Sequence, residues 1–323
     1  MTTVSTTTTI TNELLSRLNE EIAVQLVSQV PLVGEVARYT IDGGGKRLRP
    51  ILLLLSAGSL GCKERRALQL AAAIEFVHTA TLLHDDVVDS STVRRGKQTA
   101  NERFGNAAAV LVGDFLYSRA FQIMVDVGES RVFRIMADAT NDISEGEVLQ
   151  LSNVKNVDLT VDSYFEMIRS KTARLFEAAA MLGGIVAGGE HGMISDFGKY
   201  GAHIGTAFQI VDDILDYDGS EGEIGKKLGD DLAEGKITLP MIHALEHGSS
   251  EDVAKIRAAI FVDGAADLDS VVDIFRRLDS LEYSRRLAKL EINSAENIIS
   301  SLPKSPYKDC MVELAANSLS RIS

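Results

Sequence analysis

Leu14, Leu18, Ile22 and Leu26 recur every four residues and place one apolar stripe along a helix near the start of the chain. Pro31 suits the first turn of a second helix, which Gly43-Gly44-Gly45 should end. Pro50 opens a very apolar segment, 51–60, with the pattern of a buried helix. Helical spacing predicts further elements over about 64–89, 106–127, 130–152, 161–187 and 192–218. A Gly- and charge-rich loop follows at 219–235, and amphipathic stretches fill the rest, with breaks near Gly248, Gly264 and Pro303. There is no alternating strand pattern of useful length, no fixed-period repeat and no linker that divides the chain. The expected architecture is all-α: a large, single-domain helical bundle over 10–323, preceded by a polar, disordered segment at 1–9.

Composition narrows the function. None of the five prolines lies between Pro50 and Pro240, which favours long helices. A formal net charge of -13 argues against nucleic acid as a partner, which needs a basic surface. Anionic substrates stay open if local cations, or metal ions held by carboxylates, receive them. Cys62 and Cys310 make no disulfide framework and suit a reducing compartment. No basic start followed by an apolar stretch marks a secretory signal, and apolar runs such as 51–55 are too short for a transmembrane segment. The expected location is cytoplasmic.

Two acidic clusters stand out. In Asp85-Asp86-Val87-Val88-Asp89 the outer aspartates are four apart and share a helix face. Like charges at that spacing cost about 0.2–0.5 kcal/mol on an exposed helix, and more beside apolar Leu82 and Leu83. A hard cation such as Mg²⁺, which keeps several waters and bridges to phosphates, would offset that cost. Asp212-Asp213-Ile214-Leu215-Asp216 repeats the spacing. One such cluster is usually a solvated face; two, each following apolar helix, suit a diphosphate held through several Mg²⁺ ions. His78 lies within about 40° of Asp85 and Asp89 on the helical wheel, which favours a phosphate or substrate donor over a core histidine. Gln209 lies one turn before the second cluster, where a plain buried amide is an equal reading.

The cations form a second set. Gly43-Gly44-Gly45-Lys46-Arg47-Leu48-Arg49-Pro50 joins a glycine loop to three cations but lacks the P-loop spacing. Lys46 and Arg49 can converge on one anion if the turn is helical. Arg94-Arg95 follows Asp89 closely, and Arg suits bidentate phosphate contacts. Lys171, Thr172 and Arg174 form another basic face, and Lys226, Lys227 and Lys236 lie in or near the loop after the second acidic cluster. Together these imply two phosphate subsites, one metal-mediated and one direct, in an enzyme that joins two phosphorylated substrates.

With these residues in hand, the sequence resembles the trans-prenyltransferases, the all-α isoprenoid diphosphate synthases. The resemblance rests on Gly44-Gly45-Lys46-Arg47-Leu48-Arg49-Pro50, Leu83-His84-Asp85-Asp86-Val87-Val88-Asp89 with Arg94-Arg95-Gly96, and the run from Gly205 through Gln209 to Asp216. Gly229-Asp230-Asp231, Gly235-Lys236, Ser144-Glu145-Gly146-Glu147 and Ser170-Lys171-Thr172-Ala173 also fit. It covers nearly the whole chain after the first ten residues, and it implies a bundle around a central catalytic cavity. By that resemblance two or three Mg²⁺ ions would be ligated by Asp85, Asp89 and Asp212, with Asp86, Asp213 and Asp216 assisting. Arg94, Lys171, Thr172, Gln209, Lys226 and Lys236 would face the allylic diphosphate. Lys46, Arg49, His78 and Arg95 would hold isopentenyl diphosphate.

The reaction so implied is sequential head-to-tail condensation of isopentenyl diphosphate onto an allylic starter such as farnesyl diphosphate. Chain length would be set just upstream of Asp85, at Val77, Ala80 and Thr81, with Phe121 or Met124 at deeper levels. The wheel puts Thr81 on the catalytic flank and turns Ala80 away, so Ala80's role rests on the resemblance. Small residues there favour a long product, octaprenyl diphosphate, for a ubiquinone or menaquinone side chain. The resemblance also implies a homodimer and leaves room for transient membrane contact at product release. A terpene cyclase would carry a different second metal motif, a non-catalytic partner subunit would have lost one aspartate cluster, and a plain scaffold explains neither.

Overall fold

The computed structural model describes residues 6–218, 228–261 and 268–319. In chain order its helices are α1 (Thr6–Gln25), α2 (Pro31–Ile41), α3 (Leu48–Ser59), α4 (Arg65–Val88), α5 (Ala100–Phe104), α6 (Asn106–Val127), α7 (Ser130–Ser152) and α8 (Val161–Ile168). There follow α9 (Arg174–Val186), α10 (His191–Asp218), α11 (Asp230–Glu234), α12 (Leu239–His247), α13 (Ser250–Phe261), α14 (Leu268–Arg277), α15 (Ser280–Ile299) and α16 (Pro306–Leu319). A π-helical turn, Arg169–Ala173, links α8 to α9. Among the described residues the only strands are β1 (Val93–Arg94) and β2 (Lys97–Gln98), so the expected all-α class holds.

The chain divides into two compact units: Met1–Ala139 with Leu175–Gly201 and Asn297–Leu314, and Thr140–Arg174 with Ala202–Glu296 and Ala315–Ser323. In the first, α4 is buried nearly all round, from Ala67 through Leu83, as expected of a central helix. Every residue of α3 from Pro50 to Gly58 is buried. α6 turns Ala109, Val112, Leu116, Ala120 and Ile123 inward and comes so close to α4 at Gly113 that any side chain there would strike the His84 ring. The core of the second unit gathers Tyr164, Ile210, Val211, Ile214, Leu239, Met241, Ile256, Val271 and Phe275.

Several expectations shift at element ends. α1 starts at Thr6, not after residue 9, and its first turn is tied down where Cys310 Sγ donates to the Thr7 carbonyl at 3.7 Å; residues 1–5 lie outside the described ones. Of the loop expected at 219–235, residues 219–227 likewise lie outside, and 230–234 form α11 instead. Gly229 (φ 78°) and Gly235 (φ 74°), both left-handed, bracket that single turn. The break at Gly264 also lies outside the described residues. The ribbon β1–β2 was not expected; Arg95 (φ 53°) and Gly96 (φ 73°) supply the paired left-handed turn that joins antiparallel strands in two residues.

One helix bears on the expectation that no segment spans a membrane. α6 is long and apolar enough to cross a membrane by length and composition only, a test that the core helix of a soluble protein also passes. The same helix buries one face against α4, as core helices do.

Candidate active site

In the first unit α4 delivers the first acidic cluster at its C-terminal end. Asp89 caps the helix, its N–H donating to the Asp85 carbonyl at 2.8 Å, and Ser90 turns the chain away at φ 52°. Asp85 and Asp89 are partly exposed, whereas Asp86 is buried. The Arg94 guanidinium, held out on β1, reaches back to Asp86 Oδ1 through Nε and a terminal nitrogen, each at 2.8 Å. The hairpin therefore braces the inner carboxylate with a charge-assisted bond.

Arg95 and Arg49, two of the cations expected to act together, lie at the glycine loop and at His78. A Cβ added to Gly45 (φ 142°) would lie 2.7 Å from an Arg95 guanidinium nitrogen, so Arg95 rests against the glycine loop that carries Lys46. Arg49 lies 4.3 Å over the Phe176 ring and 3.2 Å from His78 Nε2. Burial, then the charges of Arg49, Arg95, Arg94 and Arg47, hold His78 well below the ordinary imidazole range, so it is neutral at pH 7. Its Nε2 accepts from Arg49, which leaves Nδ1 as the N–H donor. Beside His78 on α4, Val77 and Ala80 are fully buried, while Thr81 is half-buried and donates to the His78 carbonyl at 2.8 Å. Met124 is buried as a deep apolar position should be; Phe121 is not, because it sits on the outward face of α6.

In the second unit α10 carries the second cluster. Asp212 is partly exposed, and Asp213 and Asp216 are buried. Both oxygens of Asp213 are engaged: the Tyr164 hydroxyl donates to one at 2.5 Å and the Gln209 amide to the other at 2.8 Å. Thr172 in turn donates to the Gln209 oxygen at 2.8 Å, so α8, the π-turn and α10 share one buried chain of hydrogen bonds. Burial first, then the Asp231 charge, push the Asp213 carboxyl well up, against the pull of the Tyr164 and Gln209 hydrogen bonds. Asp216 Oδ2 accepts the Asp231 N–H at 3.1 Å. Lys171 pairs with Glu147 at 2.6 Å and Lys236 with Glu234 at 2.5 Å. Lys226 lies outside the described residues.

Sequence reasoning missed Tyr164, which stands 49 positions from its carboxylate and outside every quoted motif. It also left Asp231 and Glu147 without roles, although both lie in quoted segments. Gly146 between Glu145 and Glu147 has a plain reason: a Cβ there would lie 2.7 Å from the Lys171 amide nitrogen. Gly146→Ala should therefore cost about 1–3 kcal/mol of stability, read as a lower melting temperature.

The donors available for a cation are hard oxygens. Among the described residues no three His, Cys, Asp or Glu side chains converge on one point. What remains in each cluster is one or two accessible carboxylates, Asp85 with Asp89 and Asp212. That set fits Mg²⁺, which binds through one or two carboxylates and completes its shell with water and substrate phosphates.

Residues 30–278 match the polyprenyl synthetase family. The chain is 47% identical to the octaprenyl diphosphate synthase of Haemophilus influenzae over 308 residues, 95% of this chain and 94% of that protein. Among solved structures, a decaprenyl diphosphate synthase from Rhodobacter capsulatus superposes with TM-score 0.93 at 40% identity, over 98% of both chains. A polyprenyl synthase from Caulobacter crescentus CB15, complexed with calcium and isoprenyl diphosphate, gives TM-score 0.94 at 36% identity, also over 98% of both.

Proposed function

Since the chain belongs to the polyprenyl synthetase family, we propose that it is a long-chain all-trans polyprenyl diphosphate synthase that adds isopentenyl diphosphate units to an allylic diphosphate, with octaprenyl diphosphate as product. One observation carries this reading. Each DDxxD cluster keeps accessible carboxylates (Asp85 and Asp89 in one, Asp212 in the other), while inner ones are buried on fixed partners: Asp86 on Arg94, Asp213 on Tyr164 and Gln209. Buried, hydrogen-bonded aspartates orient their neighbours; accessible ones bind.

Asp85, Asp89 and Asp212 are the residues that would hold Mg²⁺, which when bound supplies positive charge to the departing diphosphate. The calcium-bound relative supports a divalent cation in this fold. In this reading Lys171, Lys236 and Arg94 would bring positive charge to the leaving group, an electrostatic stabilisation of the transition state, with Thr172 and Gln209 lining the allylic diphosphate's side of the site. The allylic C–O bond breaks to give diphosphate and a delocalised carbocation. Isopentenyl diphosphate, held by Lys46, Arg49, Arg95 and the Nδ1–H of His78, donates its double bond to form the new C–C bond. Loss of a proton to the released diphosphate restores an allylic diphosphate one unit longer. No side-chain base is needed.

A homodimer belongs to this reading. Val110, Leu111, Phe121 and Val125 are exposed on α6 and fall within about 100° of its wheel, an apolar face suited to a second copy. Incubating the protein with isopentenyl and farnesyl diphosphates and Mg²⁺, followed by mass analysis, should give a linear ladder ending near octaprenyl diphosphate. Cyclic hydrocarbon, or no elongation, would refute the reading.

A further inference from the structure

Arg47 is the one cation of the Lys46-Arg47-Leu48-Arg49 loop given no role by the proposed chemistry. Its side chain is only 11% exposed and pairs with Glu75 of α4, itself 5% exposed. A second guanidinium nitrogen donates to the Ile41 carbonyl at 2.7 Å, which closes the end of α2. The Arg47 carbonyl accepts the Ile51 N–H at 3.0 Å and so begins α3. Its backbone is left-handed, φ 49°, a conformation that costs a non-glycine residue free energy and persists only when its surroundings fix it. One side chain thus joins the end of α2, the start of α3 and the middle of α4.

On α4 the partners lie one turn apart. Glu75 takes Arg47 and His78 takes Arg49, so the loop is clipped to the helix at two successive rungs. Glu75 is also the buried carboxylate that faces Arg47, Arg49 and Arg95 together. Burial dominates and leaves its carboxyl above the ordinary range, although the three arginines pull it down. Its Oε2 is buried and makes no hydrogen bond among the described residues.

We propose that Glu75 is a positioning residue: by holding Arg47 in its left-handed turn and offsetting the crowded guanidinium groups, it sets Lys46 and Arg49 in register for the diphosphate of isopentenyl diphosphate. This rests on the reading of the loop as that substrate's subsite. Arg47 anchors and does not bind substrate, because its nitrogens are engaged by Glu75 and Ile41.

The test is steady-state kinetics on the full-length enzyme, with isopentenyl and farnesyl diphosphates varied in turn. Glu75→Ala should raise the KM for isopentenyl diphosphate about tenfold and leave that for farnesyl diphosphate within about twofold. Glu75→Gln, whose amide oxygen still accepts from Arg47, should fall between the two. Equal rises in both KM values, or a lower melting temperature with both KM values unchanged, would reduce Glu75 to a structural ion pair and overturn the proposal. Should Glu75→Ala not fold, the pair Arg47→Met with Glu75→Leu removes both buried charges at once, which cores tolerate better than one alone. A selective KM rise in that variant supports the role, and wild-type KM values refute it. A wild-type enzyme that fails to elongate at all defeats the subsite reading and this role with it, whereas elongation with unselective variants defeats this role alone.

Discussion

Asp85→Ala is expected to lower turnover at saturating substrates by at least about tenfold, which corresponds to about 1.4 kcal/mol on the barrier. The carboxylate is partly exposed, shares its helix face with Asp89 and stands next to a neighbour already committed to Arg94. In the proposed reading its removal takes away a ligand for the cation that would offset charge on the leaving diphosphate, so the Mg²⁺ concentration giving half-maximal rate should rise in parallel. The melting temperature should stay close to wild type, since the buried ion pair of Asp86 is untouched. Asp86→Ala would behave otherwise, because it strips Arg94 of its buried partner and destabilises the fold as well. Wild-type turnover and Mg²⁺ dependence in Asp85→Ala would remove this residue from the metal role.

Ala80→Phe should shorten the product. Ala80 is fully buried on α4, one turn before His84 and just upstream of the first aspartates. One helical turn rises about 5.4 Å, close to the length of one extended isoprene unit, so a ring placed at this level removes room for the growing chain in steps of about one unit. The protein should also lose about 1–3 kcal/mol from overpacking if the ring finds no apolar space ahead of it. Mass analysis of the polyprenyl products separates the outcomes. A shorter ladder places Ala80 beside the chain; an unchanged ladder, with or without a lower melting temperature, means that its burial serves packing alone.

Most of the helical frame was legible because each helix writes its own period into the sequence. The predicted spans 106–127 and 130–152 coincide with α6 and α7, and 64–89 differs from α4 by a residue at each end. The clusters at 85–89 and 212–216 were legible for the same reason, since a spacing of four fixes a shared face whatever surrounds it. What stayed hidden is contact between distant positions. Tyr164 meets Asp213 across 49 residues and Arg47 meets Glu75 across 28; neither pairing leaves a periodic trace. The exposure of Phe121 was misjudged because α6 is apolar on both faces, so hydrophobicity alone does not say which one packs. The turns at Arg95-Gly96 and around α11 depend on left-handed residues, whose pairing into hairpin or single-turn helix is decided by neighbours.

The π-helical turn at Arg169–Ala173 makes the chain unusually sensitive to length at this one place. A π-turn holds one more residue than an α-turn. Deleting a single residue there would turn the bulge into plain α-helix and leave the flanking helices in phase, but would change which side chains of 169–173 face α10 and so break the Thr172–Gln209 bond. The helical frame would persist while the Thr172–Gln209–Asp213 chain of hydrogen bonds was lost. The number of residues in this turn therefore matters to that chain as much as their identities do.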